Sequence, residues 1–312
     1  MGDVGEAWPA LPYRSWEETR QSLHTWSQLV GMTRMAHTPT VNEWWNVGLQ
    51  PSARGLATGP IPHGNREFEL ELDLVGQALH VRTSDGETRS LALWARRACD
   101  FHREFTGVLA SLDLPTRLWE VPYEVPDKVP FARDTRAGYD PAWARRFHRV
   151  IARSARVLEE FRAGFTGKAS PVLFFWGTFD LALSLFTGRR LPADPGTGLI
   201  RRVSNDEEHF SVGFWPGSDP LFEPAYYAYA VPEPPGFREA ILPVDGARYH
   251  EKLGEFVLPY ERVRTSDSPE EELLAFARSA YAAAADLGRW DRRNLERPID
   301  PLEGETAGVP LH

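Results

Sequence analysis

From Glu67 to Leu93 the apolar residues take alternate positions: Phe68, Leu70, Leu72 and Leu74, then Leu79 and Val81, then Leu91 and Leu93 beyond the hairpin turn Asp85-Gly86. A period of two places these side chains on one face of a pleated sheet and the intervening charged residues on the other. The segment reads as an antiparallel meander with one wet face. Helical spacing flanks it. Ser15-Trp16-Glu17-Glu18 has the spacing of a capping box, and Leu23, Trp26, Leu29 and Val30 continue a helix from about Trp16 to Met35. Val41 to Leu49 is expected as a strand and Gly55 to Gly64 as loop. After the meander, Ala98, Phe101, Phe105, Val108 and Leu112 form a second helix, and Arg117 to Val121 a short strand.

The order then repeats. Glu124 to Asp140 has no clear period and reads as a linker. Asp140-Pro141 supplies an N-cap and a first-turn proline for a long helix through Trp143, Phe147, Val150, Leu158, Phe161 and Phe165. The apolar run Val172 to Phe186 is expected as a buried strand and its continuation. His209 to Trp215, Ala225 to Val231 and Leu253 to Val263 are further strands. Ser268-Pro269-Glu270-Glu271 opens a helix over 270–288, and the tail after Arg289 is expected to be weakly ordered. Gly48, Leu56, Thr58 and Gly59 match Gly177, Leu185, Thr187 and Gly188 at one constant spacing, although the later strands do not keep it. The fold class that follows is α+β: antiparallel sheets flanked by helices, in two similar helix–strands–helix halves, 1–133 and 134–312, with a pseudo-twofold relation between them as an expectation. A ligand site is expected at their boundary.

Composition narrows the function. With 35 Lys+Arg against 44 Asp+Glu the chain is net −9, which disfavours broad nucleic-acid binding. No apolar stretch approaches the length of a membrane span, and no basic segment followed by an apolar core opens the chain, so a cytoplasmic location is expected. Cys99 is the only cysteine, which excludes an internal disulfide or a multi-cysteine metal site. No dinucleotide or phosphate-binding glycine loop, Gly-x-Ser-x-Gly elbow or His-Glu-x-x-His pair is present, and no cofactor or metal is called for.

The unusual feature is aromatic content: 11 Trp, 17 Phe and 9 Tyr, grouped beside polar residues at 42–46, 174–177, 213–216 and 226–229. The plain reading of each group is core packing. The sharper reading is a cleft, because neighbouring strand residues such as Trp44 and Trp45 point to opposite faces. On that reading Asp180, Glu208 and His209 are the candidate catalytic residues. Asn42, Trp44, Trp45, Arg54, Trp176, Trp215, Glu223 and Tyr227 are the candidate binding residues. Asp180 lies inside an apolar run, so it is expected either to pair with Arg54 or Arg189 or to carry a raised pKa. His24, His102 and His148 read as boundary residues of helices.

Trp8-Pro9-x-Leu11-Pro12-Tyr13, Leu23-His24-x-Trp26, Asn42-x-Trp44-Trp45, Ala53-Arg54-Gly55-Leu56, Ser170-Pro171-Val172-x-Phe174-Phe175-Trp176-Gly177, Gly213-Phe214-Trp215-Pro216-Gly217 and Pro224-Ala225-x-Tyr227-Ala228-Tyr229 together resemble the bacterial family of domain of unknown function 5996. The resemblance spans roughly Trp8 to Trp290 and implies no established reaction. It also implies histidine in relatives at the positions of Glu43, Leu173 and Glu207, so a histidine cluster and its chemistry are not carried over to this chain. Three readings follow. The first is an enzyme with carboxylate and histidine acid–base chemistry on a small molecule. The second is a small-molecule binding protein without turnover, and the third is an interaction protein with an aromatic homodimer interface.

Overall fold

The computed structural model describes residues 6–192, 196 and 198–297. The meander forms where the alternation predicts it. Helix α1 (Tyr13–His37) precedes the strands β1 (Gln50–Pro51), β2 (Gly55–Ala57), β3 (Ile61–His63), β4 (Arg66–Asp73), β5 (Ala78–Thr83) and β6 (Thr88–Ala92), and helix α2 (Ala98–Ser111) follows. The sheet order is β1-β2-β4-β5-β6, all antiparallel, with β3 added to β4. Leu70 sits opposite Val81 and Leu72 opposite Leu79, so the alternate leucines share the buried face.

Residues 134–297 build a second sheet with its own helices. Helix α3 (Pro141–Ala163) leads to β7 (Leu173–Phe175) and β8 (Asp180–Arg190), a short helix α4 (Leu199–Ser204), β9 (Glu207–Trp215), β10 (Ala225–Val231), β11 (Arg248–His250) and β12 (Glu255–Pro259). Helices α5 (Tyr260–Arg264), α6 (Pro269–Leu287) and α7 (Arg292–Leu295) close it. The sheet order is β11-β12-β10-β9-β8-β7. The chain is thus α+β, with two antiparallel sheets flanked by helices. The sheets meet edge to edge, where Leu49 and Phe174 exchange both backbone hydrogen bonds at 2.9 and 2.8 Å. One apolar core runs from Trp8 to Trp290 through both halves. At its middle Phe147 of α3 stacks on Trp16 of α1 and on Phe179, while Phe174 meets both Phe147 and Phe179 edge-on.

Several local expectations are corrected. The segment 41–49 is not a strand: Asn42–Trp44 is a 3-10 helix, with Glu43 and Trp44 at φ 55° and 62°. Such backbone is costly for residues with a Cβ. Here it brings the Glu43 carboxylate to Lys168 at 2.8 Å, a partner 125 positions away that no local pattern reveals. The pleat argument for Trp44 and Trp45 therefore lapses. The run 172–186 is a hairpin, turned at Trp176–Phe179 with Phe179 at φ 61°. The turn residues Trp176 and Phe179 are themselves buried, which erases the polar punctuation that marks most turns.

Elsewhere, 55–64 contains β2 and β3, 117–121 forms no strand, and 253–263 divides into β12 and α5. Helix α1 starts at Tyr13, two residues before the capping-box serine, and Ser268 makes no side-chain cap bond at α6. The stretch 124–140 is irregular but packed, with a 3-10 turn at Phe131–Arg133 and Phe131 fully buried. Residues 292–295 of the tail are helical, and Arg297 donates its backbone N–H to Gly164 O at 2.9 Å; 298–312 lie outside the described residues.

Candidate active site

The two faces of the second sheet have different fates. Leu181, Leu183, Leu185, Phe210, Val212, Phe214, Tyr226, Ala228, Phe256 and Leu258 take alternate positions and lie in the apolar core, on the side of α3 and α6. Tyr226 pairs there with Ser154 of α3 at 2.9 Å. The period of two sends Asp180, His209, Ser211, Trp215, Tyr227, Tyr229 and Glu255 to the opposite face.

Asp180 is the centre of that face. It is buried, 9% exposed, and its two carboxylate oxygens accept the hydroxyls of Thr178 and Tyr227. Among the described residues no lysine, arginine or histidine pairs with it. Burial pushes its pKa up, and the two hydroxyls only partly oppose that. Two further carboxylates feel its charge. Glu255 on β12 is raised by burial and then by Asp180 to about 7, and Glu124 is raised by the same two causes in the same order. The Tyr227 phenol is pushed well above its usual value by burial and by Asp180. Tyr227 stacks on Tyr229 at 6.1 Å and 19°, and Tyr229 meets His209 edge-on at 6.0 Å. Burial lowers the His209 pKa, which favours the neutral ring.

Glu124 comes from the first half and is carried to the face by its loop. Its φ is 51°. The preceding Tyr123 is clamped by Gln28 of α1, whose amide donates to Tyr123 O and accepts from Tyr123 N, both at 2.8 Å. The Glu124 carboxylate then covers Gly177, where any side chain would collide with it. His24 braces the other side of Gly177, with Nε2 at 3.0 Å from its carbonyl and the ring stacked on Phe179. Burial and the charge of Arg20 hold His24 down to about 4, so it is neutral at pH 7 and acts as a donor to that carbonyl.

A second polar cluster lies at the other end of the sheet. Lys168 Nζ bridges Glu43 at 2.8 Å and Glu207 at 2.9 Å, over the rings of Phe186 (4.3 Å) and Trp45 (5.6 Å). Two of the three positions singled out for histidine in relatives thus share one lysine. Among the described residues no group of three or more His, Cys, Asp or Glu is arranged to hold a metal ion.

Of the residues chosen from sequence, Asp180 and Tyr227 touch, and Trp215 and His209 share their face. The others are dispersed. Glu208 is taken by Arg189 and by Thr187 at 2.9 Å. Arg54 binds Asp73 at 2.6 Å on the first sheet, so neither arginine proposed for Asp180 reaches it. Glu223 pairs with Arg248 at 3.1 Å on the surface. Trp176 is core: its Nε1 donates to Val47 O at 2.8 Å. Asn42 is exposed, Trp44 donates to Ile200 O at 3.2 Å, and Trp45 packs on Phe186 at the lysine cluster. Sequence reasoning missed Glu124, Glu255, Thr178 and Tyr229. Tyr229 had a signal, two positions from Tyr227 on one strand. Glu124 had none, because it stands in irregular chain.

The fold and site define an α+β protein with a buried acid–tyrosine cluster on the face of its second sheet opposite α3 and α6, to which Glu124 of the first half also contributes. The chain belongs to the family of unknown function DUF5996, whose sequence pattern matches residues 8–297. No curated protein and no solved structure matches it. Among the described residues no helix is long and apolar enough to cross a membrane.

Proposed function

We propose that the protein acts on a small, partly apolar molecule by acid–base chemistry at Asp180, Glu255 and Glu124, with Tyr227, Tyr229 and Trp215 as the aromatic wall. The observation that carries this reading is a buried carboxylate, Asp180, held among the described residues by two hydroxyls and no cation, beside a second carboxylate, Glu255, whose pKa is pushed up to about 7. A carboxyl group whose pKa lies near the working pH exchanges a proton in either direction at low cost, which is the property general acid–base catalysis selects. In this assignment Glu255 exchanges the proton, burial and then the charge of Asp180 raise its affinity for it, and Tyr227 fixes Asp180. This assignment gives no proton-transfer role to Glu208, which is paired with Arg189, and leaves His209 as a neutral neighbour of Tyr229. The net charge of −9 favours a small-molecule ligand over nucleic acid.

The test is to extract and identify small molecules retained by the purified protein, then to titrate them back into the wild type and into Asp180→Asn, Glu255→Gln and Tyr227→Phe. Binding weakened in all three variants, with turnover whose pH profile has a midpoint near 7 that Glu255→Gln removes, supports the proposal. Binding with no conversion favours the second reading, a binding protein that uses the same face. Binding indifferent to all three substitutions excludes the face.

A further inference from the structure

Glu124 is the one carboxylate of the acid–tyrosine cluster that no strand carries, since Asp180 opens β8 and Glu255 opens β12. It heads the segment 124–130, which spans two anchors. On one side Tyr123 is clamped by Gln28, and on the other Phe131 is fully buried and donates its N–H to Glu120 O at 3.0 Å. Little holds the chain between them. Among the described residues, 124–129 make no hydrogen bond, and Pro126, Asp127 and Lys128 are exposed. A stretch with so few bonds opens at a lower free energy than the core beside it.

The head of this strap meets the second half through the Glu124 carboxylate, which lies over Gly177 so closely that a Cβ there would collide with its Oε2. That oxygen ends a flexible side chain, so the contact yields by movement of Glu124 and not of the sheet. Asp180 faces Glu124 from β8 and acts also on Glu255 of β12. From α1 comes His24, neutral and engaged with the Gly177 carbonyl. Glu120, Asp127 and Lys128 of the loop itself are exposed, and among the described residues no cation pairs with Glu124 or Glu255. With the strap closed, burial and then the Asp180 charge raise the Glu124 pKa; both causes vanish once the side chain swings into water.

We propose that 124–130 is a pH-operated strap at the Asp180 end of the face, closed over Gly177 while Glu124 holds its proton and released when Glu124 ionises. A carboxyl group whose pKa is higher closed than open favours closure in acid, and that bias is lost as pH rises through the raised value. The equilibrium shifts about tenfold for each unit by which closing raises the pKa. As regulation of the Asp180 face the strap rests on the reading of that face as a site. Its movement needs no ligand and is measured without one.

The test places a nitroxide on the strap, through Lys128→Cys in a Cys99→Ser background, and follows its mobility by electron paramagnetic resonance from about pH 5 to about pH 9. The mobile fraction is expected to rise about threefold or more across this range. Glu124→Gln, which keeps the shape and cannot ionise, should hold the strap closed at every pH. Gly177→Ala, whose methyl group displaces the carboxylate, should leave it mobile at every pH, and Glu124→Gln carries the test if that variant does not fold. Mobility that ignores pH, or a pH response that survives Glu124→Gln, overturns the proposal. A strap that moves in this way beside a face that binds nothing would leave the gate standing and refute the acid–base reading alone.

Discussion

Glu255→Gln isolates the energetic cost of the acid–tyrosine cluster. In the unfolded chain Glu255 ionises near 4.5, and in the folded protein near 7, because it is buried beside Asp180. The folded state therefore holds the proton that the unfolded state releases between these values, so stability falls as pH rises from about 4.5 to about 7. Between pH 5 and pH 8 the linkage relation gives about 2.5 kcal/mol, and the partial solvent access of a half-buried side chain reduces this to about 2 kcal/mol. Glutamine keeps the shape and removes the charge. The variant should match the wild type at pH 5 and exceed it by about 2 kcal/mol at pH 8. Urea unfolding of both proteins at both pH values measures the difference, from which other titrating groups cancel. A difference that does not change with pH would show that Glu255 is not proton-loaded by its surroundings, and the acid–base assignment would lose its central group.

Asp180→Asn should lower the Glu255 midpoint below about 7, followed by carboxyl NMR, since the neighbouring charge is gone; an unmoved midpoint would uncouple the two groups. Lys168→Met strips the cation from two buried carboxylates and should cost about 3 kcal/mol at pH 8 and less in acid, where Glu43, whose pKa burial already raises, takes up a proton; equal losses at both pH values would contradict the ion-pair account. His24, held to about 4 in the fold, should destabilise the wild type by up to about 3 kcal/mol as pH falls from 6.5 to 4, because only the unfolded chain gains the proton, and His24→Gln should remove that part of the acid-side loss. Phe174→Ala, emptying a fully buried site between Phe147 and Phe179, should cost about 4 kcal/mol in urea unfolding, and a loss under 1 would mean that the two halves are not joined there.

What the sequence by itself determined was periodic. The alternating leucines of 68–93 set a one-sided sheet, and helical spacing set α1, α2, α3 and α6, because one buried face repeats every two or every 3.6 residues whatever lies beyond it. Tyr227 could be placed opposite the core by the same rule. Asp180 stood out because a carboxylate inside an apolar run must be compensated somewhere. Its partners could not be read, since Tyr227 arrives from two strands away and Glu255 from a fourth strand. Tertiary structure alone decided the rest. The pairing of Glu43 and Glu207 on Lys168, the delivery of Glu124 through Gln28, and the turn hidden in 172–186 all depend on contacts between residues far apart in sequence. Their energies come from desolvation and charge, which leave no period in the chain.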